Sequence, residues 1–208
     1  MRKFLKGALT RLRKKEGSIT LPALIIAGAI FVAGLFFMVE MPLKLIMANE
    51  MVDTVNNAAA SGVTKIAEER IRYGELKIDE SRAREAVHDV LKRTYNLDHN
   101  LNPLDQEGRE NKVSSINMVD VQVVSKPLGA SDTWFEIFTI PQTEEQIAEA
   151  KKKAVREGKK YEPPTVKVKD SSVFVYVDMT FKRPIRAGDD QLSLQRYAIS
   201  EVSFPDYE

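Results

Sequence analysis

The chain has 208 residues, no cysteine, two histidines and a net charge of +1. Without cysteine, disulfide stapling, thiolate metal sites and thiol nucleophiles are all excluded, so an exported domain must rest on packing alone. The charge is split by position: residues 1–17 carry seven bases and one acid, the rest 24 bases and 29 acids, so the main domain has no basic excess to meet nucleic-acid phosphates.

Residues 18–39, SITLPALIIAGAIFVAGLFFMV, are 22 consecutive positions without a charge. At about 1.5 Å per helical residue they reach roughly 33 Å, enough to cross a hydrocarbon core of about 30 Å. They predict a transmembrane helix over 18–41. Residues 1–17 form a basic cytoplasmic leader, and everything after Glu40 lies outside, extracellular or periplasmic. A cleaved secretory signal has an apolar region of about 7–15 residues and a small-residue cleavage site. This run is longer and ends in Phe36, Phe37, Met38 and Val39, so the span is read as retained. A plain single-span anchor is the competing bland reading.

Beyond the span, apolar residues recur at helical spacing through Leu43, Met47, Met51, Val55, Ala58, Ala59, Val63 and Ile66. They extend the helix to about Tyr73, with Gly74 as its stop. Pro42 removes a backbone donor and loosens the helix at the junction. A second helix is predicted over 80–95, capped by Asp79, with Ala83, Ala86, Val87, Val90, Leu91 and Tyr95 as its apolar stripe. Residues 42–96 thus read as a helical stalk and second helix, followed by a loop over 96–111 rich in Asn, Asp, Pro and Gly.

The period then changes from 3.6 to 2, and residues 112–208 read as an antiparallel sheet domain. Strands are predicted at 116–124 and 133–140, with a short edge strand at 165–169. In the clearest strand, Val173, Val175, Val177, Met179 and Phe181 alternate with Phe174, Tyr176, Asp178, Thr180 and Lys182. Residues 192–204 form its antiparallel partner through the turn-rich RAGDD at 186–190. Between strands, 143–157 predicts an exposed helix: Thr143 and Gln146 match a capping box, Gly158 ends it, and its apolar content is thin. The fold class is α+β, with a long N-terminal helix (transmembrane, then amphipathic), a second helix, and an antiparallel sheet with an inserted surface helix.

Motifs for chemistry are sparse. His88 has Glu85 and Asp89 nearby on the second helix, and Asp98-His99-Asn100 is a turn-like cluster; both read as solvated surface rather than metal sites. Asp189-Asp190 fits ordinary hairpin-tip chemistry. Lys151-Lys152-Lys153, Arg156, Lys159 and Lys160 are balanced by Glu144, Glu145, Glu149 and Glu157, as on a solvated helix face. Trp134 and Phe135 read as core. No phosphate-binding loop, dinucleotide fingerprint or nucleophile elbow occurs. The chain is therefore expected not to be an enzyme and to need no cofactor or metal.

The run Lys14-Lys15-Glu16-Gly17-Ser18-Ile19-Thr20-Leu21-Pro22, opening an apolar helix, resembles the start of type IV pilin-like proteins, more narrowly the tight-adherence (TadE-like) pseudopilins. The resemblance implies a pilin-like fold and cleavage by a prepilin peptidase between Gly17 and Ser18. It implies a structural role as subunit of a surface filament or secretion pseudopilus. Assembly would run through the N-terminal helix, with Leu21, Pro22, Ala27, Gly28, Ala29, Ala33, Gly34 and Pro42 as its marked positions. The implied partners are the membrane, further copies or other pilins, the prepilin peptidase, and an assembly ATPase with its platform protein; no nucleic acid is implied. Some of the small residues, with Ala23, stand at small-xxx-small spacing, either as a packing seam or as the ordinary composition of a spanning helix. The chain departs from the family at the fifth position after Gly17, where members carry Glu and this sequence has Pro22; no acid occurs before Glu40. From another class, the alternative is a non-polymerising, membrane-anchored component of a secretion or conjugation apparatus.

Overall fold

The computed structural model describes residues 2–66, 77–105, 111–131, 133–182 and 191–202, with side chains from residue 25 onward except at Ala33 and Phe36. The chain divides into two compact units, Met1–Met47 and Ala48–Glu208. Helix α1, Arg2–Val63, supplies all of the helical structure in the first unit and enters the second. Its helical backbone includes the leader from Arg2 onward and continues through Pro42. Because Pro42 has no N–H, the Met38 carbonyl lacks its usual donor four residues on.

In the second unit, α1 buries a stripe at helical spacing: Met51, Val55, Ala58 and Ala59 are each fully buried. The helix ends at Val63, short of the expected Tyr73. Gly62 weakens it there, and the Thr64 hydroxyl donates to the Ser61 carbonyl at 2.7 Å. Ile66, expected on the helix stripe, instead bridges Ile78 in antiparallel fashion. Tyr73 and the expected stop Gly74 lie outside the described residues.

Helix α2, Glu80–Tyr95, has the expected bounds. The Asp79 carboxylate caps it by accepting from the Arg82 amide at 3.1 Å. Asn96, at φ 50°, closes it in the left-handed conformation, and the Leu97 amide reaches back to the Lys92 carbonyl at 3.0 Å. Ala83, Ala86, Val87, Leu91 and Tyr95 form its buried face.

The strands are β1 (Val113–Val124), β2 (Glu136–Thr139), β3 (Thr165–Val168), β4 (Ser172–Phe181) and β5 (Leu192–Glu201). They do not form one sheet, as the alternation pattern had implied. β1, β4 and β5 make an antiparallel sheet with β4 in the middle, and β2 with β3 make a separate antiparallel pair. β5 is the expected partner of β4, in register from Ser172↔Glu201 to Phe181↔Leu192. The expected turn at 186–190 lies outside the described residues. Helix α3, Glu144–Arg156, joins β2 to β3. Its capping box forms as predicted: the Thr143 hydroxyl accepts from the Gln146 amide at 3.3 Å, and the Gln146 side chain accepts from the Thr143 amide at 3.0 Å. No residue of α3 is buried, so it is the expected surface helix.

All ten residues of β4 are buried. On one face Val173 and Phe181 mark contact with the helices. A Cβ placed on Gly62 of α1 would stand 3.1 Å from Val173 Cγ1 and 3.2 Å from Val87 Cγ2. At the other end the Phe181 ring meets the Tyr95 ring edge-on at 6.0 Å. On the opposite face Phe174 and Tyr176 join Phe138 and Val168 from the β2–β3 pair, with Val124, Ile140 and Ile199 against them. Phe174 stacks on Phe138 at 5.3 Å and on Tyr197 at 5.9 Å. A Phe174→Ala change removes that ring from a filled core. It should lower the unfolding free energy by about 3–5 kcal/mol, read as a lower urea midpoint with unchanged slope in the fluorescence of Trp134, the sole tryptophan.

Candidate functional site

The first unit carries exposed apolar side chains. Ile25, Ile26, Ile30, Phe31, Val32, Leu35, Phe37, Met38 and Val39 are each between 47% and 76% exposed. For the second unit the same helix offers the buried stripe headed by Met51. One helix thus carries two kinds of surface: apolar and exposed over Ile25–Val39, then a stripe matched to a core. Among the described residues this is the one helix long and apolar enough to cross a membrane, and none of its apolar window is buried. A candidate membrane span therefore lies near the N-terminus.

Every residue singled out for processing and assembly falls on this helix. Gly17, Ser18, Leu21 and Pro22 stand in its helical backbone, as does Ala33. Ala27, Gly28, Ala29, Gly34 and Pro42 are exposed. A Cβ added at Gly28 or Gly34 would meet nothing within 4 Å, so these two glycines make no close packing among the described residues. Past the span, Glu40 and Lys44 pair one turn apart at 2.8 Å.

The candidates in the second unit resolve into structure. No group of three or more His, Cys, Asp or Glu able to hold a metal occurs among the described residues. His88 is half-buried on α2, and burial pushes its pKa below the ordinary 6.5, aided by Lys92 and Arg84 and opposed by Asp89. Glu85 and Asp89 instead line an open groove of 440 Å³ with Lys65, Arg82 and Arg93, a mixed-sign surface. In the loop after α2, Asp98 accepts from the Asn100 and Asn102 amides, both at 2.8 Å, and from Asn102 Nδ2 at 3.1 Å. Those bonds hold its pKa below the usual carboxylate range and show the cluster to be turn scaffolding. Asp189 and Asp190 lie outside the described residues.

The basic run on α3 is exposed, with Lys159 paired to Glu157 at 3.1 Å and the Lys151 ammonium 5.9 Å from the Tyr161 ring centroid. Phe135 is not core, as expected, but surface. It precedes β2, is 49% exposed, and lies under the Lys167 ammonium at 4.8 Å. Trp134 is half-buried. The alternation of β2 sends Phe138 inward and Ile137 outward, so Phe138 is the buried aromatic.

One cluster was not singled out from the sequence. Asp178, on the β4 face opposite the helices, is buried without a cation among its hydrogen-bond partners. Its carboxylate accepts from Asn117 Nδ2 at 3.0 Å, Ser193 Oγ at 3.2 Å and Gln195 Nε2 at 2.9 Å. Gln146 of α3 donates to Gln195 Oε1 at 2.7 Å, tying the surface helix to the sheet. With Asp178 itself the cluster draws on β1, β4, β5 and α3, so only the strand register brings its members together. Burial, and secondly the Asp178 charge, push the Tyr176 hydroxyl pKa up. The arrangement is a structural anchor with every carboxylate bond to a neutral donor.

Two outcomes follow from these groups. Asp178→Ala takes an acceptor from the half-buried Gln195 amide and from Ser193 and Asn117, and should cost about 1–3 kcal/mol in urea unfolding. For His88 the folded pKa is depressed, so the unfolded chain takes up the proton first. Its stabilisation is complete above pH 6.5 and is lost as pH falls from there through the folded value. Unfolding free energy should therefore fall less over that window in His88→Gln than in the parent.

Compared with family models, curated proteins and solved structures, the chain finds no match.

Proposed function

We propose that this protein is a type IV pilin-like or TadE-like subunit, anchored by a single span with its N-terminus in the cytoplasm and its α+β unit outside. Its role is structural rather than catalytic: it forms, or primes, a surface filament or secretion pseudopilus. The observation that carries the reading is the uncovered apolar surface of α1 from Ile25 to Val39. In lipid such a helix satisfies its own backbone hydrogen bonds. Withdrawn into a filament, the same surface needs other apolar helices, and the open space beside Gly28 and Gly34 admits close neighbours. The basic leader supports the orientation, because lysine and arginine are retained on the cytoplasmic side. The run Lys15-Glu16-Gly17-Ser18 supports processing at Gly17. A prepilin peptidase, an assembly ATPase and a polytopic platform protein are the partners this role requires.

A second reading is favoured by one observation. Pro22 stands where the family carries Glu, and residues 18–39 contain no acid, so no buried carboxylate is available to set the register between subunits. On that reading the helix is an anchor only, and the outer unit serves a secretion or conjugation apparatus without polymerising.

Mass spectrometry of the native protein separates the two. A mature chain beginning at Ser18, with Gly17→Leu accumulating uncut, supports the pilin reading. An intact Met1 in the parent chain supports the anchor.

A further inference from the structure

The exposed apolar surface does not stop at the first charge after the span. Met41, Leu45 and Ile46 are about as exposed as the residues before Glu40, at 60%, 62% and 59%. The two charges among them, Glu40 and Lys44, are joined to each other at 2.8 Å. Residues 18–47 contain no other charge. These 30 residues extend about 45 Å, which exceeds a hydrocarbon core of about 30 Å and matches a whole bilayer of about 40–45 Å with its headgroups. The second compact unit begins at the next residue, Ala48.

We propose that the outer headgroup layer of the bilayer covers Met41, Leu45 and Ile46, so the lipid-facing part of α1 runs to Met47. This rests on the single-span reading. The distribution of the exposed side chains selects lipid over a second copy. At about 100° per residue, Phe37, Met38, Val39, Met41, Leu45 and Ile46 cover an arc of about 200°. A helix partner takes a narrow seam, whereas lipid meets a helix from all sides. The ion pair makes the depth tolerable. Glu40 and Lys44 enter the interface as a neutral pair, the lysine stem reaching back one turn along the helix to the carboxylate.

The absence of cysteine makes the test clean. Single changes Gly28→Cys, Met41→Cys, Leu45→Cys, Ile46→Cys and the exposed control Lys152→Cys are placed in the full chain. Each is reconstituted at one chain per lipid nanodisc and treated with a membrane-impermeant maleimide. Positions 41, 45 and 46 should label about tenfold or more slowly than position 152, with position 28 unlabelled. In the Leu45→Cys background, Lys44→Glu destroys the pair and should bring labelling towards that of position 152, while Lys44→Arg should not. Protection at 28 with labelling at 41, 45 and 46 equal to that at 152 overturns the proposal and leaves the single span standing. Rapid labelling at 28 overturns the spanning reading and this proposal with it. Protection at 41, 45 and 46 only when several chains share a disc assigns the surface to a second copy and also overturns the proposal.

Discussion

Every residue of β4 is buried, and the rest of the folded unit is placed by the need to cover its two faces. An antiparallel strand usually leaves one face to water. Here the valine-rich face takes the end of α1, from Ala48 onward, and α2, and the Phe174–Tyr176 face takes the β2–β3 pair. With no disulfide available, this double burial is the main source of stability. Close approach is part of it: the space at Gly62 lets α1 pass against Val173 and Val87, where a larger side chain would push them apart.

Covering β4 also determines what α1 has to be. Within the folded unit the helix needs only a stripe, and Met51, Val55, Ala58 and Ala59 supply it. Upstream, in the first unit, the helix remains apolar on many sides from Ile25 to Ile46. A surface of that kind costs free energy in water and none in lipid. The change from broadly apolar to striped fits the change of solvent that the proposed anchor requires, and it connects the packing of the domain to that proposal.

The polar groups follow the same division of labour. Where α3 needs attachment it has no buried side chain to offer, and the link runs through Gln146, Gln195 and Asp178. A buried carboxylate is tolerated because three neutral donors satisfy it. Asp98 does comparable work at the surface, organising the loop after α2 through backbone amides.

Much of the fold was legible because it is written in short-range patterns. The bounds of α2, the capping box of α3 and the pairing of β4 with β5 rest on caps, turns and alternation within a few residues of each other. The candidate site was legible for the same reason: an uncharged run of spanning length is a local property of residues 18–39. Long-range contacts decided the remainder. Phe135 and Phe138 look alike in the sequence, and only the packing of the β2–β3 pair on β4 takes Phe138 into the core and leaves Phe135, just before β2, at the surface. Ile66 has the spacing of a helix residue, yet Thr64 ends the helix and Ile78 claims Ile66. The partners of Asp178 lie on the two strands that flank β4 and converge through pairing that no local pattern encodes. By itself the sequence determined which segments avoid water; the tertiary structure decided which of them cover each other, because that depends on contacts between residues far apart in the chain.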